Sequence, residues 1–153
     1  MVRALWESPL GMVVMEGDGQ ALVRLDFAGE GREVFGLGDC PVLQKCATQL
    51  EEYFAGRRKV FDIPIRLEGT PFRLEVWAEL LEIGYGSTCS YKDVAQQLGK
   101  PTASRAVGGA NNKNPISIIV PCHRVIGKDG GLTGYGGGLW RKEWLLDHEK
   151  KFS

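Results

Sequence analysis

The 153-residue chain carries 19 Lys+Arg against 19 Asp+Glu, with 43% hydrophobic and 25% charged residues, which is the balance of an ordinary globular protein with one good core or a small lobe packed on a larger one. No apolar stretch approaches the roughly 18 residues of a membrane span and the N-terminus lacks a basic-then-apolar signal, so a cytoplasmic protein without membrane contact is expected. Four irregularly spaced cysteines, Cys40, Cys46, Cys89 and Cys122, with no CxxC pair and only His123 and His148 for company, argue against a disulfide framework and against a Cys/His metal site.

The first elements read as a small antiparallel sheet. Val2, Ala4 and Trp6 alternate, Met12 to Met15 form a second strand, and Val23, Leu25 and Phe27 alternate with Arg24 and Asp26 in a third. Gly11 and the Glu16-Gly17-Asp18-Gly19 segment supply the turns. A Gly- and Glu-rich loop, 28–39, leads to a helix whose apolar positions Val42, Cys46, Leu50, Tyr53 and Phe54 keep helical spacing until Gly56 ends it. Residues 60–69 read as a strand and connector.

Thr70-Pro71 is a helix start, a hydroxyl cap followed by proline at the first helical position. That helix runs to about Ile83 with Phe72, Val76, Trp77, Leu80 and Leu81 on one side. Two short helices follow, 91–98 and 103–112, with Ser90 and Thr102 as N-caps and Asp93 placed for a capping box. Val94, Ala95 and Leu98 are spaced to pack against Ala106, Val107 and Ala110, the inner face of a helix-turn-helix. Its second helix projects almost nothing at Gly108, Gly109 and Ala110, so its backbone can approach DNA closely without reading bases. The expected architecture is α/β, with an N-terminal lobe over 1–69 and a mostly helical domain over 70–153.

Charge is unevenly spread. Residues 1–89 carry 9 Lys+Arg and 14 Asp+Glu, whereas residues 90–153 carry 10 and 5. The basic half suits a phosphate backbone and predicts salt-sensitive binding. In that half an apolar run, Ile116-Ser117-Ile118-Ile119-Val120, reads as a buried strand that stops at Pro121-Cys122-His123-Arg124-Val125. Cysteine titrates near pH 8.5, and a neighbouring imidazole is a usual means of producing thiolate. The alternatives for the pair are an activated sulfur nucleophile and a buried cysteine beside an unrelated histidine.

The PCHRV core, the GYGGGL loop at 134–139 and the KEWLLDHE string at 142–149 resemble the O6-alkylguanine-DNA alkyltransferases, and SYKDVA at 90–95 and SRAVGGA at 104–110 resemble that family's helix-turn-helix. The likeness covers about residues 70–150. The first seventy residues match the family's ribonuclease-H-like N-terminal region only in size and pattern.

The resemblance implies direct reversal of DNA damage, in which a flipped O6-alkylguanine, with O4-alkylthymine a second candidate, gives its alkyl group to Cys122. It implies activation running from Glu149 to His123 to a water to Cys122, hydrogen-bond donation from Tyr91 to guanine N3, and Asn114 fixing the active-site turn. Duplex DNA carrying the lesion would meet Ser90, Tyr91, Arg105, Ala106, Gly108, Gly109, Asn111, Lys113 and Arg124, with Arg105 filling the place of the extruded nucleotide. Val125, Tyr135, Gly136, Gly137 and Lys142 would line the base pocket. Gly136 stands where a hydroxyl residue often occurs, so one side-chain bond to O6 is absent. A monomer without metal or cofactor is expected. Two rivals are a non-catalytic lesion-binding protein, which in the similar alkyltransferase-like proteins lacks the cysteine, and a cysteine hydrolase with a Cys-His-Glu triad.

Overall fold

The computed structural model describes residues 1–28, 38, 40–127, 135 and 137–153. They form two compact units, Met1–Leu67 and Glu68–Ser153.

In the first unit three antiparallel strands, β1 (Val2–Ser8), β2 (Gly11–Gly17) and β3 (Leu22–Phe27), lie in the order β1-β2-β3. Ala4 pairs with Met15 and Met15 with Leu25, and all three are wholly buried, so the period-2 alternation produces one apolar face. Helix α1 (Pro41–Phe54) covers that face and buries Leu43, Cys46, Leu50 and Tyr53. Gly56, at φ 78°, follows its last turn in the left-handed conformation that glycine adopts without penalty. Asp18 Oδ1 accepts from the N–H groups of Gln20 and Ala21 at 2.9 and 2.8 Å and so closes the β2–β3 turn. The strand expected within 60–69 shrinks to a single parallel bridge between Leu22 and Ile65; Pro64 has no N–H to extend a ladder. Most of the segment expected as a loop, 29–37 and 39, lies outside the described residues.

The second unit is mostly helical. In α2 (Pro71–Leu80) the Thr70 hydroxyl accepts from Arg73 N at 3.2 Å and Pro71 occupies the first turn, as its sequence predicts. The helix stops three residues earlier than expected, and Leu81, expected on its apolar side, is 44% exposed. Ser90 and Asp93 make the reciprocal capping box that starts α3 (Tyr91–Gln97). Gly99, at φ 71°, and the 2.9 Å bond from Lys100 N to Ala95 O end it.

Helix α4 (Ser104–Asn112) has Ala103 at its N-cap with no side-chain bond, so Thr102 does not cap it. Val94 and Ala95 are buried with Val107 and Ala110 where α3 packs on α4, whereas Ala106, expected in that interface, is exposed. Trp77 Nε1 donates to Ala110 O at 2.9 Å and ties α2 to α4. The remaining elements are a two-residue parallel pair, β4 (Cys89–Ser90) with β5 (Val125–Ile126), and helix α5 (Leu139–Lys151). No described helix is long and apolar enough to cross a membrane.

Candidate functional site

The segment expected as a strand before Cys122 is instead a tight succession of turns. Ile119 N donates to Ser117 O at 2.8 Å around Ile118, whose φ of 71° puts a β-branched, buried residue in the left-handed region. An i→i+2 bond closed over such a residue is the rare, strained form of γ-turn. Pro121, at φ −82° and ψ 63°, centres an ordinary inverse γ-turn closed by Cys122 N to Val120 O at 2.8 Å.

Asn114 fastens the two ends of this coil. Its Nδ2 donates to Val120 O at 2.7 Å and its Oδ1 accepts from Ile116 N at 3.0 Å. Strain of this kind costs about 1–3 kcal/mol and persists only where the surroundings over-determine it. An apolar run alone could not reveal this, since the closure depends on one side chain bonding two backbone groups.

From the coil the chain enters a single 3-10 turn, Cys122–Arg124, in which all three side chains are buried. His123 Nε2 lies 2.7 Å from Glu149 Oε2, with the histidine 0% and the glutamate 1% exposed. Burial alone would raise the Glu149 carboxyl, but hydrogen bonds and charge from His123 and Arg124 outweigh it and hold the group well below the usual carboxylate range. Burial pushes His123 below its ordinary value of 6.5; Glu149 opposes that push, and the positive charges of Arg124 and Lys142 add to it.

The resting site therefore contains an ionised Glu149 and a neutral imidazole. A carboxylate can only accept, so Nε2 carries the ring proton and Nδ1 is a bare base. That buried Nδ1 has no hydrogen-bond partner among the described residues.

Arg124, expected against DNA, is 7% exposed and turned inward. Its Nε donates to Glu149 Oε1 at 2.8 Å, Nη2 to Oε2 at 3.0 Å and Nη1 to Ile83 O at 2.7 Å, and its guanidinium carbon stands 5.7 Å from the Tyr85 ring centroid. Gly86 N adds a 3.2 Å bond to Glu149 Oε1. Asn111, also expected against DNA, is 2% exposed on the inner side of α4, where its Nδ2 donates to Cys122 O at 3.2 Å. Its buried Oδ1 has no hydrogen-bond partner among the described residues.

The β4–β5 pairing sets Cys89 opposite Val125 and thereby brings the start of α3, with Tyr91, near the Cys122–Arg124 turn. Lys142 is 0% exposed; its Nζ donates to Val125 O at 2.6 Å and lies 5.9 Å from the Tyr91 ring centroid. Burial lowers its pKa and attraction to a Cys122 thiolate opposes the fall. That attraction is mutual, so the ammonium favours charge on the sulfur. Burial pushes Cys46 up to about 12, and burial with Asp93 and Glu79 pushes Cys89 up to about 11, which leaves both as thiols at neutral pH.

Tyr135 is half-buried and Gly137 buried near the start of α5, their carbonyls accepting from Gly138 N and Arg141 Nη1; Gly136 lies outside the described residues. Arg105, Ala106, Gly109 and Lys113 are exposed, Gly108 faces the Tyr91 ring, and Ser90 is committed to its capping box. A Cβ built on Gly109 meets no atom within 4 Å, and one on Gly108 meets only Tyr91 ring carbons at 3.8 Å, so packing within the chain requires neither glycine. Among the described residues no three His, Cys, Asp or Glu side chains converge as a metal site would need.

Residues 71–151 match the family model described as the 6-O-methylguanine DNA methyltransferase DNA binding domain, and residues 1–67 match the ribonuclease-like domain of the same enzymes. A methylated-DNA–protein-cysteine methyltransferase of Methanosarcina acetivorans is 47% identical over 97% of this chain and 98% of its own length. One from Mycobacterium leprae is 48% identical over 94% and 89%. The crystal structure of Mycobacterium tuberculosis OGT in complex with DNA superposes with a TM-score of 0.90 at 45% identity, covering 99% of this chain and 94% of that one.

Proposed function

The chain belongs to the 6-O-methylguanine DNA methyltransferase family and repairs DNA by direct reversal, moving an alkyl group onto a cysteine; we propose that the cysteine is Cys122 and that the donor is O6-alkylguanine in duplex DNA. The observation that carries this reading is the buried chain of groups Arg124–Glu149–His123 next to Cys122 in the turn, which ends in a His123 Nδ1 with no hydrogen-bond partner among the described residues.

His123 Nδ1 receives the Cys122 proton through a water while Glu149 keeps the imidazole in the needed tautomer. The thiolate, favoured by the Lys142 ammonium, attacks the alkyl carbon in line. As the S–C bond forms, the C–O6 bond breaks and its electron pair passes to the purine, which regains the proton held at His123. Tyr91 donates to N3 of the leaving base. The product is a thioether, which has no hydrolysis route, so each chain acts once.

Nucleotide flipping costs a few kcal/mol, less for a mispaired alkylated base. The exposed side of α4 supports this step: Arg105 enters the stack, while Ala106 and Gly109 let the helix backbone close on the groove and Lys113 meets phosphate. All these groups come from one chain, which favours a monomer. Burst counting tests the reading. With methylated duplex in large excess, repair stops at one equivalent per chain; continued release beyond that would overturn it, and ester or peptide turnover would mark a hydrolase instead.

A further inference from the structure

Arg124 is the strongest feature that the mechanism above leaves without a task. A guanidinium buried beside the reactive histidine meets both oxygens of one carboxylate in parallel, Nε to Oε1 at 2.8 Å and Nη2 to Oε2 at 3.0 Å, and anchors its remaining arm on Ile83 O. That fork fixes the plane of the Glu149 carboxylate and holds Oε2 at the 2.7 Å position facing His123 Nε2.

We propose that Arg124 is a positioning residue for alkyl transfer: it balances the charge of Glu149, so that His123 acts as a weak, neutral base that releases the thiol proton instead of keeping it. The inference rests on Cys122 being the acceptor and concerns only the proton that leaves it.

The electrostatic logic follows from the groups that face His123. Glu149 and Lys142 approach from α5, Arg124 from its own turn, Cys122 precedes it in the chain, and Tyr85 lies against Arg124 from the segment before β4. A Glu149 without that partner would offset more of the fall that burial imposes on His123, and so favour a charged histidine paired with a thiolate. A protein used once is poorly served by that state, because a permanently charged sulfur reacts with any electrophile that reaches it. With Arg124 in place the carboxylate has its own counter-ion, the proton taken from sulfur is weakly held, and it passes on to the departing purine. Lys142, engaged on Val125 O, then remains as a cation that favours charge on the sulfur.

Ring-labelled histidine NMR of the full chain between pH 5 and 8 tests this, with His148 as the second, internal signal. In the wild type the His123 titration lies below the ordinary 6.5. In Arg124→Gln its titration moves up by about one pH unit or more, the scale on which a nearby charge acts, and Arg124→Lys, which keeps the charge, stays near the wild type. An Arg124→Gln protein that folds and titrates like the wild type at His123 would overturn the proposal.

Should Arg124→Gln not fold, the double variant Arg124→Gln/Glu149→Gln removes both buried charges together. Its His123 then stays within about half a unit of the wild type if the two charges cancel, and a larger fall overturns the cancellation. Alkylation of Cys122 by methylated duplex, followed on the same wild-type sample, reports the underlying reading separately.

Discussion

Replacing Gly109 by alanine separates what the fold needs from what DNA needs. The residue lies in the interior of the nine-residue helix α4, it is exposed, and a Cβ there meets nothing within 4 Å. Its φ is not in the positive range, so alanine fits without strain. Glycine in a helix interior is worse than alanine by roughly 0.5–1 kcal/mol because it loses more backbone freedom on folding. For a chain of this size each kcal/mol moves the melting point by about 2–4 °C, so Gly109→Ala should melt on the order of 1–4 °C higher. The same methyl group stands on the side of α4 that carries Arg105 and Ala106, the side proposed to close on DNA. Affinity for duplex, titrated at one fixed salt concentration, should therefore fall while stability rises, and a leucine at 109 should weaken binding further. A Gly109→Ala protein that binds duplex as tightly as the wild type would refute the close-approach argument, and one that melts lower would refute the packing argument.

Other expectations follow from the same geometry. Protons favour the unfolded chain at both His123 and Glu149, whose folded pKa values lie below their ordinary 6.5 and 4.5. Stability should therefore be intact above about pH 6.5, decline as His123 is asked to charge, and fall further below pH 4.5 as the Glu149 contribution is lost. Acid unfolding followed by circular dichroism checks this, and a flat profile from pH 7 to 4 would contradict it. Arg105 is exposed, so Arg105→Ala should leave the melting temperature nearly unchanged yet slow repair of duplex far more than reaction with a free modified base; equal losses on the two substrates would remove the flipping role. Methylation of Cys122, 5% exposed within its turn, overpacks the site at a cost of about 1–3 kcal/mol. Melts of unmodified and methylated protein should differ accordingly, and an unchanged or higher melting temperature would show that the turn accepts the methyl without strain.

The sequence announced those parts of the site whose chemistry is local. Thr70-Pro71 and Ser90 with Asp93 specify helix starts because the capping groups sit within one turn of what they cap. The motifs that single out His123 and Glu149 belong to residues that meet in the structure, and Asn114 bonds both ends of the coil before Cys122; the roles assigned to them remain proposals. What escaped depends on distant partners. Residues 116–120 have a strand's composition, but the backbone is coiled by Asn114 and bent at Ile118. Arg124 and Asn111 have the residue types of a DNA surface, yet each is drawn inward by a partner 25 or 11 positions away that no local pattern reveals. Ala106 fits an apolar helix face by spacing and is exposed, because the α3–α4 contact is narrow enough to be filled by Val94, Ala95, Val107 and Ala110.

The most direct test of the central claim follows the alkyl group itself. Duplex DNA carrying O6-methylguanine with a deuterated methyl is incubated with excess protein, which is then digested and each cysteine peptide weighed. One deuterated methyl is expected on the Cys122 peptide, none on those of Cys40, Cys46 or Cys89, and no transfer with Cys122→Ser despite retained DNA binding. Label on another cysteine, or repaired DNA with no label on the protein, would contradict it.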